Sequence, residues 1–159
     1  MSRRKSRAGS QKGLTLIELI VAFTIMLLLT TMAVPLARSK VRRDRERELR
    51  YALLEIRKAI DKYKDAADLG MMAPQKQGAE GYPESLEILV EGVKLSNNPD
   101  KKFRFLRRIP KDPFTNSTDW GKRAWQDDPK SNSWAGGNVF DVYTKTTEKA
   151  PDGTPYSEW

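Results

Sequence analysis

The order of apolar and polar positions divides the chain into stretches of different period. From Leu14 to Ala37 there are 24 residues, most of them apolar, and Glu18 is the only charged one. At ~1.5 Å of rise per residue, a helix of this length covers ~36 Å, enough to cross a ~30 Å hydrocarbon core with some tilt. After Pro35 the chain becomes highly charged but still reads as helical. Arg38, Lys40, Arg42, Arg43, Arg45, Arg47 and Arg50 alternate with Asp44, Glu46 and Glu48, and Arg42–Glu46 and Glu46–Arg50 have the four-residue spacing that supports a helix. This run reads as a solvated helical face in preference to a phospholipid-binding patch. Leu49, Leu53, Ile56, Ile60, Tyr63 and Ala67 then recur every three or four residues, a single apolar stripe facing a core. The pattern predicts one helix from Leu14 to about Asp68, membrane-embedded first and amphipathic afterwards. Pro35 is expected to kink or locally unwind it, and Gly70 and Pro74 to end it.

Further along, the elements are shorter. Gly78 to Pro83 forms a loop, and Leu86, Leu89, Val90 and Val93 have helical spacing. A short second helix is expected to start near Pro83 and close at or soon after Gly92. Ser96 to Asp100 is turn-rich, and Ile109 to Phe114 contains two prolines, so it reads as an ordered, non-helical loop. Asn138 to Lys145 alternates as a strand does, with Lys122 to Gln126 as its antiparallel neighbour. Trp120, Trp125, Trp134 and Trp159 are read as core or edge packing in preference to ligand stacking.

Charge at the N-terminus changes the picture. Met1 to Gly13 carries Arg3, Arg4, Lys5, Arg7 and Lys12 and no acid, a leader that stays cytoplasmic under the positive-inside rule. A secretory signal would place small residues after the apolar core; here Pro35 and charged sequence follow it, and the small residue, Gly13, precedes it. A carboxylate inside an apolar span is costly unless it snorkels or finds a partner, which makes Glu18 a functional candidate. The segment Gly13-Leu14-Thr15-Leu16-Ile17-Glu18-Leu19 resembles the start of the prepilin family, the type IV pilins and type II secretion pseudopilins. That family has Gly, a hydrophobic residue (usually Phe, here Leu14), then Thr-Leu-Ile-Glu-Leu. The resemblance implies cleavage after Gly13 by prepilin peptidase, N-methylation of Leu14, and assembly roles for Glu18 and Pro35.

Landmarks in the second half are similar to the G-type major pseudopilin of type II secretion systems. They are Tyr82-Pro83-Glu84-Ser85-Leu86, Arg108-Ile109-Pro110-Lys111-Asp112-Pro113-Phe114, Phe140-Asp141-Val142-Tyr143 and the terminal Trp159. The resemblance implies an α+β, pilin-like fold, a long N-terminal helix packed on a small antiparallel sheet. It divides the chain into a leader (1–13), a transmembrane or filament-core helix (14–37), its amphipathic continuation (38–68) and a small globular domain (69–159). It implies an inner-membrane protein with a cytoplasmic N-terminus and a periplasmic C-terminal domain, extracted into a filament. The implied partners are copies of itself, minor pseudopilins, prepilin peptidase, the inner-membrane secretion platform and the membrane. G-type pseudopilins also hold a calcium ion in the loops after the sheet. Here Thr146 to Thr154 offers Glu148 and Asp152 among hydroxyls and carbonyls but lacks the family's Gly-Ala-Asp-Gly turn. Calcium, which needs six to eight oxygens, and an ordinary Asp-Gly turn both remain open there.

Composition sets bounds on function. The formal charge of the 159 residues is +8. Five of the positives lie in the leader, leaving 24 basic against 21 acidic side chains, or +3, after cleavage. On that balance no nucleic-acid partner is expected. There is no cysteine, so a small exported domain must hold together by helix packing, oligomerisation or a metal. With no histidine either, a His-based triad, a thiolate nucleophile and a His-ligated metal are excluded, and no enzyme is expected. The leading class is a structural filament subunit that supports protein export, with an adhesive or DNA-uptake pilin as the alternative.

Overall fold

The computed structural model describes residues 13, 15–72, 78–96 and 98–159; the side chains of 32–36 and 98–100 fall outside that description. The chain forms two compact units, Met1–Arg42 and Arg43–Trp159. The first helix, α1, is Leu16–Asp68. Its helical assignment is continuous through Pro35, so the expected local unwinding is not seen. Proline removes one rung of the hydrogen-bond ladder, and the turns on either side keep the backbone wound.

Within the second unit, α1 buries the stripe read from the sequence. Leu49, Leu53, Ile56, Ile60 and Tyr63 are all buried, joined by Ala52 and Ala59. At the end of the stripe Ala66 takes the buried place and Ala67 is half-buried. The helix stops at Gly70, whose φ of 65° is left-handed. Gly70 N–H donates to the Ala67 carbonyl (2.9 Å) and Met71 N–H to the Ala66 carbonyl (3.0 Å), which satisfies the last carbonyls as a Schellman motif does.

Helix α2, Leu86–Glu91, places Leu86 and Leu89 against this stripe. It is followed at once by β1 (Val93–Leu95) and β2 (Asn98–Phe103), an antiparallel hairpin that pairs Val93 with Phe103 and Lys94 with Lys102. Two expectations are corrected here. Val93, which continues the helical spacing, is the first residue of a strand, and the turn-rich segment 96–100 contains the start of β2. The switch is made by Gly92, at φ 82°, where a Cβ would come 2.7 Å from the Phe103 carbonyl oxygen. Only glycine allows the backbones to approach so closely there.

Strands β3 (Gly121–Arg123) and β4 (Asp141–Tyr143) pair antiparallel, with Gly121 opposite Tyr143 and Arg123 opposite Asp141. The expected partnership is present, but both strands are shorter than the alternation implied. The residues beside them are held by loop bonds instead, such as Val139 N–H to the Pro83 carbonyl (2.7 Å) and Trp125 N–H to Asn138 Oδ1 (2.9 Å). Segment 109–114 is the expected ordered loop, and a 3₁₀ turn, Tyr156–Glu158, comes near the C-terminus. The core joins the α1 stripe to Leu86, Leu89, Trp120, Val139, Val142 and Tyr156. Trp120 fulfils its core role, whereas Trp125 and Trp134 remain 58% and 40% exposed. The architecture is α+β, a long N-terminal helix with small antiparallel sheets, consistent with a pilin-like fold.

At Gly121 an added Cβ would meet the Tyr143 ring at 2.3 Å. Gly121→Ala is therefore expected to destabilise the folded unit by about 1–3 kcal/mol through overpacking. A urea midpoint lowered at unchanged slope would report it; an unshifted midpoint would mean that the ring moves aside freely.

Candidate assembly site and C-terminal anchor

The N-terminal part of α1 begins with a cap. Glu18 N–H donates to Thr15 Oγ1 at 3.4 Å, and the spacing Thr15-x-x-Glu18 is that of a capping box. Glu18 thus stands in the first helical turn, where the helix dipole favours a carboxylate. Gly13 is exposed and nothing lies within 4 Å of where its Cβ would be. Leu14, the expected methylation site, lies outside the described residues, as do residues 1–12 of the leader. Pro35 is described by its helical backbone alone.

Eleven large apolar side chains between Leu16 and Leu29 are 40% to 76% exposed, and they occupy all sides of the helix. An amphipathic surface helix would show one apolar stripe; a helix apolar all round belongs inside a bundle or a bilayer. Its polar groups are already satisfied from within. Thr24 Oγ1 donates to the Ile20 carbonyl (2.7 Å), Thr30 to Met26 (2.8 Å) and Thr31 to Leu28 (2.8 Å). Glu18 is the only ionisable group among the described side chains from Thr15 to Thr31. Among the described residues no helix is long and apolar enough to cross a membrane. The expected span, 14–37, includes five positions, 32–36, whose side chains lie outside the described residues.

The globular unit concentrates its polar chemistry where α1 meets β3, β4 and the C-terminal segment. Arg57 Nε donates to Asp141 Oδ1 at 2.7 Å, while its Nη2 reaches the Trp159 main-chain oxygen (2.7 Å) and the Val142 carbonyl (3.2 Å). Arg123, buried to 4% exposure, approaches the same carboxylate from the other side at 3.3 Å. It also donates to the carbonyls of Ser131 (2.8 Å) and Ser157 (3.0 Å), and its guanidinium lies 4.3 Å from the Tyr143 ring centroid. Tyr156 Oη donates to Glu46 at 2.7 Å, and Arg50 covers the Trp159 ring at 4.1 Å. Glu46 and Arg50, read as parts of a solvated face, therefore hold the C-terminal aromatics. None of these roles is marked by a sequence motif, because the partners lie 8 to 110 residues away.

A second carboxylate, this one buried, organises the proline-rich loop. Asp112, 1% exposed, accepts from Phe114 N–H at 2.8 Å and from the Thr144 hydroxyl. Trp120 Nε1 closes the same loop onto the Pro110 carbonyl (2.9 Å).

Of the two expected calcium ligands, Asp152 is engaged within its own turn through one carboxylate oxygen. Asp152 Oδ1 accepts from Thr154 N–H (3.0 Å) and from the Thr154 hydroxyl, which hold its carboxyl below the usual range, the hydroxyl contributing most. This is an Asp-Gly turn satisfied by its own residues. The Glu148 carbonyl accepts from Tyr156 N–H at 3.3 Å, and the Glu148 side chain is exposed. Among the described residues no group of three or more Asp or Glu stands together as a cation would need.

Compared with known families, residues 9–34 match the prokaryotic N-terminal methylation motif. Neither a curated protein nor a solved structure matches the chain. The motif indicates a type IV pilin-like or pseudopilin precursor, and with it processing by prepilin peptidase, membrane anchoring through the N-terminal region and pilus-like polymerisation.

Asp141 is shared by two arginines, one of them buried, so its removal strands a buried cation. Asp141→Ala is expected to cost about 3 kcal/mol or more. Chemical denaturation of the full chain in detergent would measure the loss, and a shift below about 1 kcal/mol would show that water replaces the carboxylate.

Proposed function

We propose that this chain is the structural subunit of a type II secretion pseudopilus, cut after Gly13, N-methylated at Leu14 and polymerised through α1. The observation that carries this reading is one carboxylate, Glu18, at the start of a helix apolar on every side. Once Gly13 is removed, Leu14 carries a free amine four residues before Glu18. In a stack of such helices, Glu18 of one subunit pairs with the Leu14 amine of its neighbour. Pairing offsets the cost of placing either charge in an apolar interior, and a neighbour in the wrong register would leave a carboxylate without a partner.

The secretion assignment, over an adhesive pilin, rests on the landmark segments around Tyr82, Ile109 and Phe140. It also rests on the lack of the cysteine pair that more often bounds the C-terminal loop of an adhesive pilin. In this chain Arg57, Asp141 and Arg123 do that stapling work. The alternative, a DNA-uptake pilin, draws support from one feature, the density of cations between Lys94 and Lys111.

Two measurements test the proposal. Coexpression with a prepilin peptidase should yield a product that begins at Leu14. Gly13→Val should block the cut without disturbing the fold, since the position is open. Intact mass showing uncut wild-type chain, or cleavage after the apolar run, would overturn the assignment. Glu18→Leu should leave insertion intact, because it makes the helix more apolar. It should nevertheless reduce sheared filaments at least tenfold; filaments at wild-type levels would refute the charge pair.

A further inference from the structure

A net charge of +3 after cleavage gives little attraction for a polyanion, but the charges are not evenly placed. Between Lys94 and Lys111 stand seven cations, Lys94, Lys101, Lys102, Arg104, Arg107, Arg108 and Lys111, against one acid, Asp100. All seven are exposed, and none forms an ion pair among the described residues. Lys94 and Lys102 are direct register partners across the β1–β2 hairpin. Like charges placed opposite each other weaken a ladder, so the hairpin carries this pair at a cost to its own stability.

The segment also carries an aromatic group. Phe103 is 48% exposed and lies between Lys102 and Arg104. Its ring is braced edge-on by Phe105 (centroids 4.9 Å apart), which is braced in turn by Tyr63 (5.2 Å). A braced, half-open ring among cations is a stacking platform beside a charged track, the combination used to hold single strands. Three of the seven cations are arginines, whose planar forks bind phosphate in bidentate fashion. A bilayer surface would be better served by an apolar side chain free to insert, which this ring is not.

We infer that the edge formed by β1, β2 and the loop that follows, Lys94 to Lys111, binds the phosphate backbone of single-stranded nucleic acid. The inference does not rest on cleavage at Gly13 or on the Glu18 pair, so it and the proposed assembly can fail separately. Recognition is by charge and stacking and so carries little sequence preference.

The test uses the full chain in detergent, titrated with a fluorescent oligothymidine at several salt concentrations. Contacts to four phosphates give a log–log salt slope of about −2.8, which is about a fiftyfold loss of affinity between 50 and 200 mM salt. Combining Lys94→Gln, Lys102→Gln, Arg104→Gln and Arg107→Gln should flatten that slope and lower affinity at least tenfold at the lower salt. Lys58→Gln with Lys62→Gln, on exposed positions of α1, should leave both unchanged. If the fourfold variant misfolds, Lys94→Gln with Lys102→Gln alone relieves the like-charge pair and should still reduce the slope by about 1.4. The inference is overturned if wild type does not bind at low salt, or if the hairpin variants bind as wild type does. Binding to phosphatidylglycerol vesicles that oligothymidine does not displace would overturn it in favour of a membrane surface.

Discussion

The N-terminal part of α1 exposes eleven large apolar side chains that cannot all face one partner surface. Taking the exposed parts of them out of water is worth on the order of 10–20 kcal/mol, at least the whole net stability of a small domain. That energy places the helix in a bilayer or a bundle but does not decide between neighbours there. In lipid there is no hydrophobic drive from helix to helix, so association depends on packing and on polar groups. Thr24, Thr30 and Thr31 spend their hydroxyls on their own helix, which removes them as competitors. Glu18 is the charged group left among the described side chains from Thr15 to Thr31, and under the proposed function it supplies directionality. A buried ion pair adds little net stability, yet a carboxylate without its partner is strongly penalised, so such a group selects one register among many apolar ones.

The folded unit faces the opposite difficulty, since it is small and has no cysteine with which to fasten its C-terminal segment. Arg123 and Asp141 are partners in the β3–β4 register, so their ion pair is also a cross-strand contact. Arg57 enters from α1 and brings the Trp159 main-chain oxygen to the same place. One carboxylate therefore joins helix, sheet and chain end. Burying Arg123 and half-burying Arg57 and Asp141 is costly, and the remaining donors of both arginines offset this by meeting the carbonyls of Ser131, Val142 and Ser157.

What could be read in advance follows the range of each interaction. The α1 stripe, the closing Gly70, the β3–β4 pairing and the ordered Ile109–Phe114 loop rest on local period or turn chemistry, and all are present. The β1–β2 hairpin was not legible, because Val93 satisfies both a helical spacing and a strand, and only the approach of the Phe103 backbone to Gly92 decides between them. The parts played by Asp112, Arg123 and Asp141 carry no local signal, because their partners come from distant segments. The Thr15-x-x-Glu18 box is different: its spacing is visible in the sequence, and the prominence of Glu18 as a lone charge obscured its part in the cap.

The turn at Asp152 is closed by bonds local to it. Two oxygen acceptors in the segment are the starting point for a cation site only if they are free to converge. Asp152 Oδ1 is engaged by the hydroxyl and amide of Thr154, two residues on, and Gly153 at φ 89° gives the backbone the shape that this requires. Binding an ion with that oxygen would forfeit both bonds and reopen the turn. The bridge between Lys149 and Pro155 and the bond from Ala150 N–H to the Thr154 carbonyl (2.8 Å) already close the loop from outside. Beyond it, Tyr156 is fully buried against Phe114 and Trp159, with its hydroxyl on Glu46. The segment is thus held at both ends. Its stability depends on α1, whose face from Glu46 to Arg57 supplies the partners.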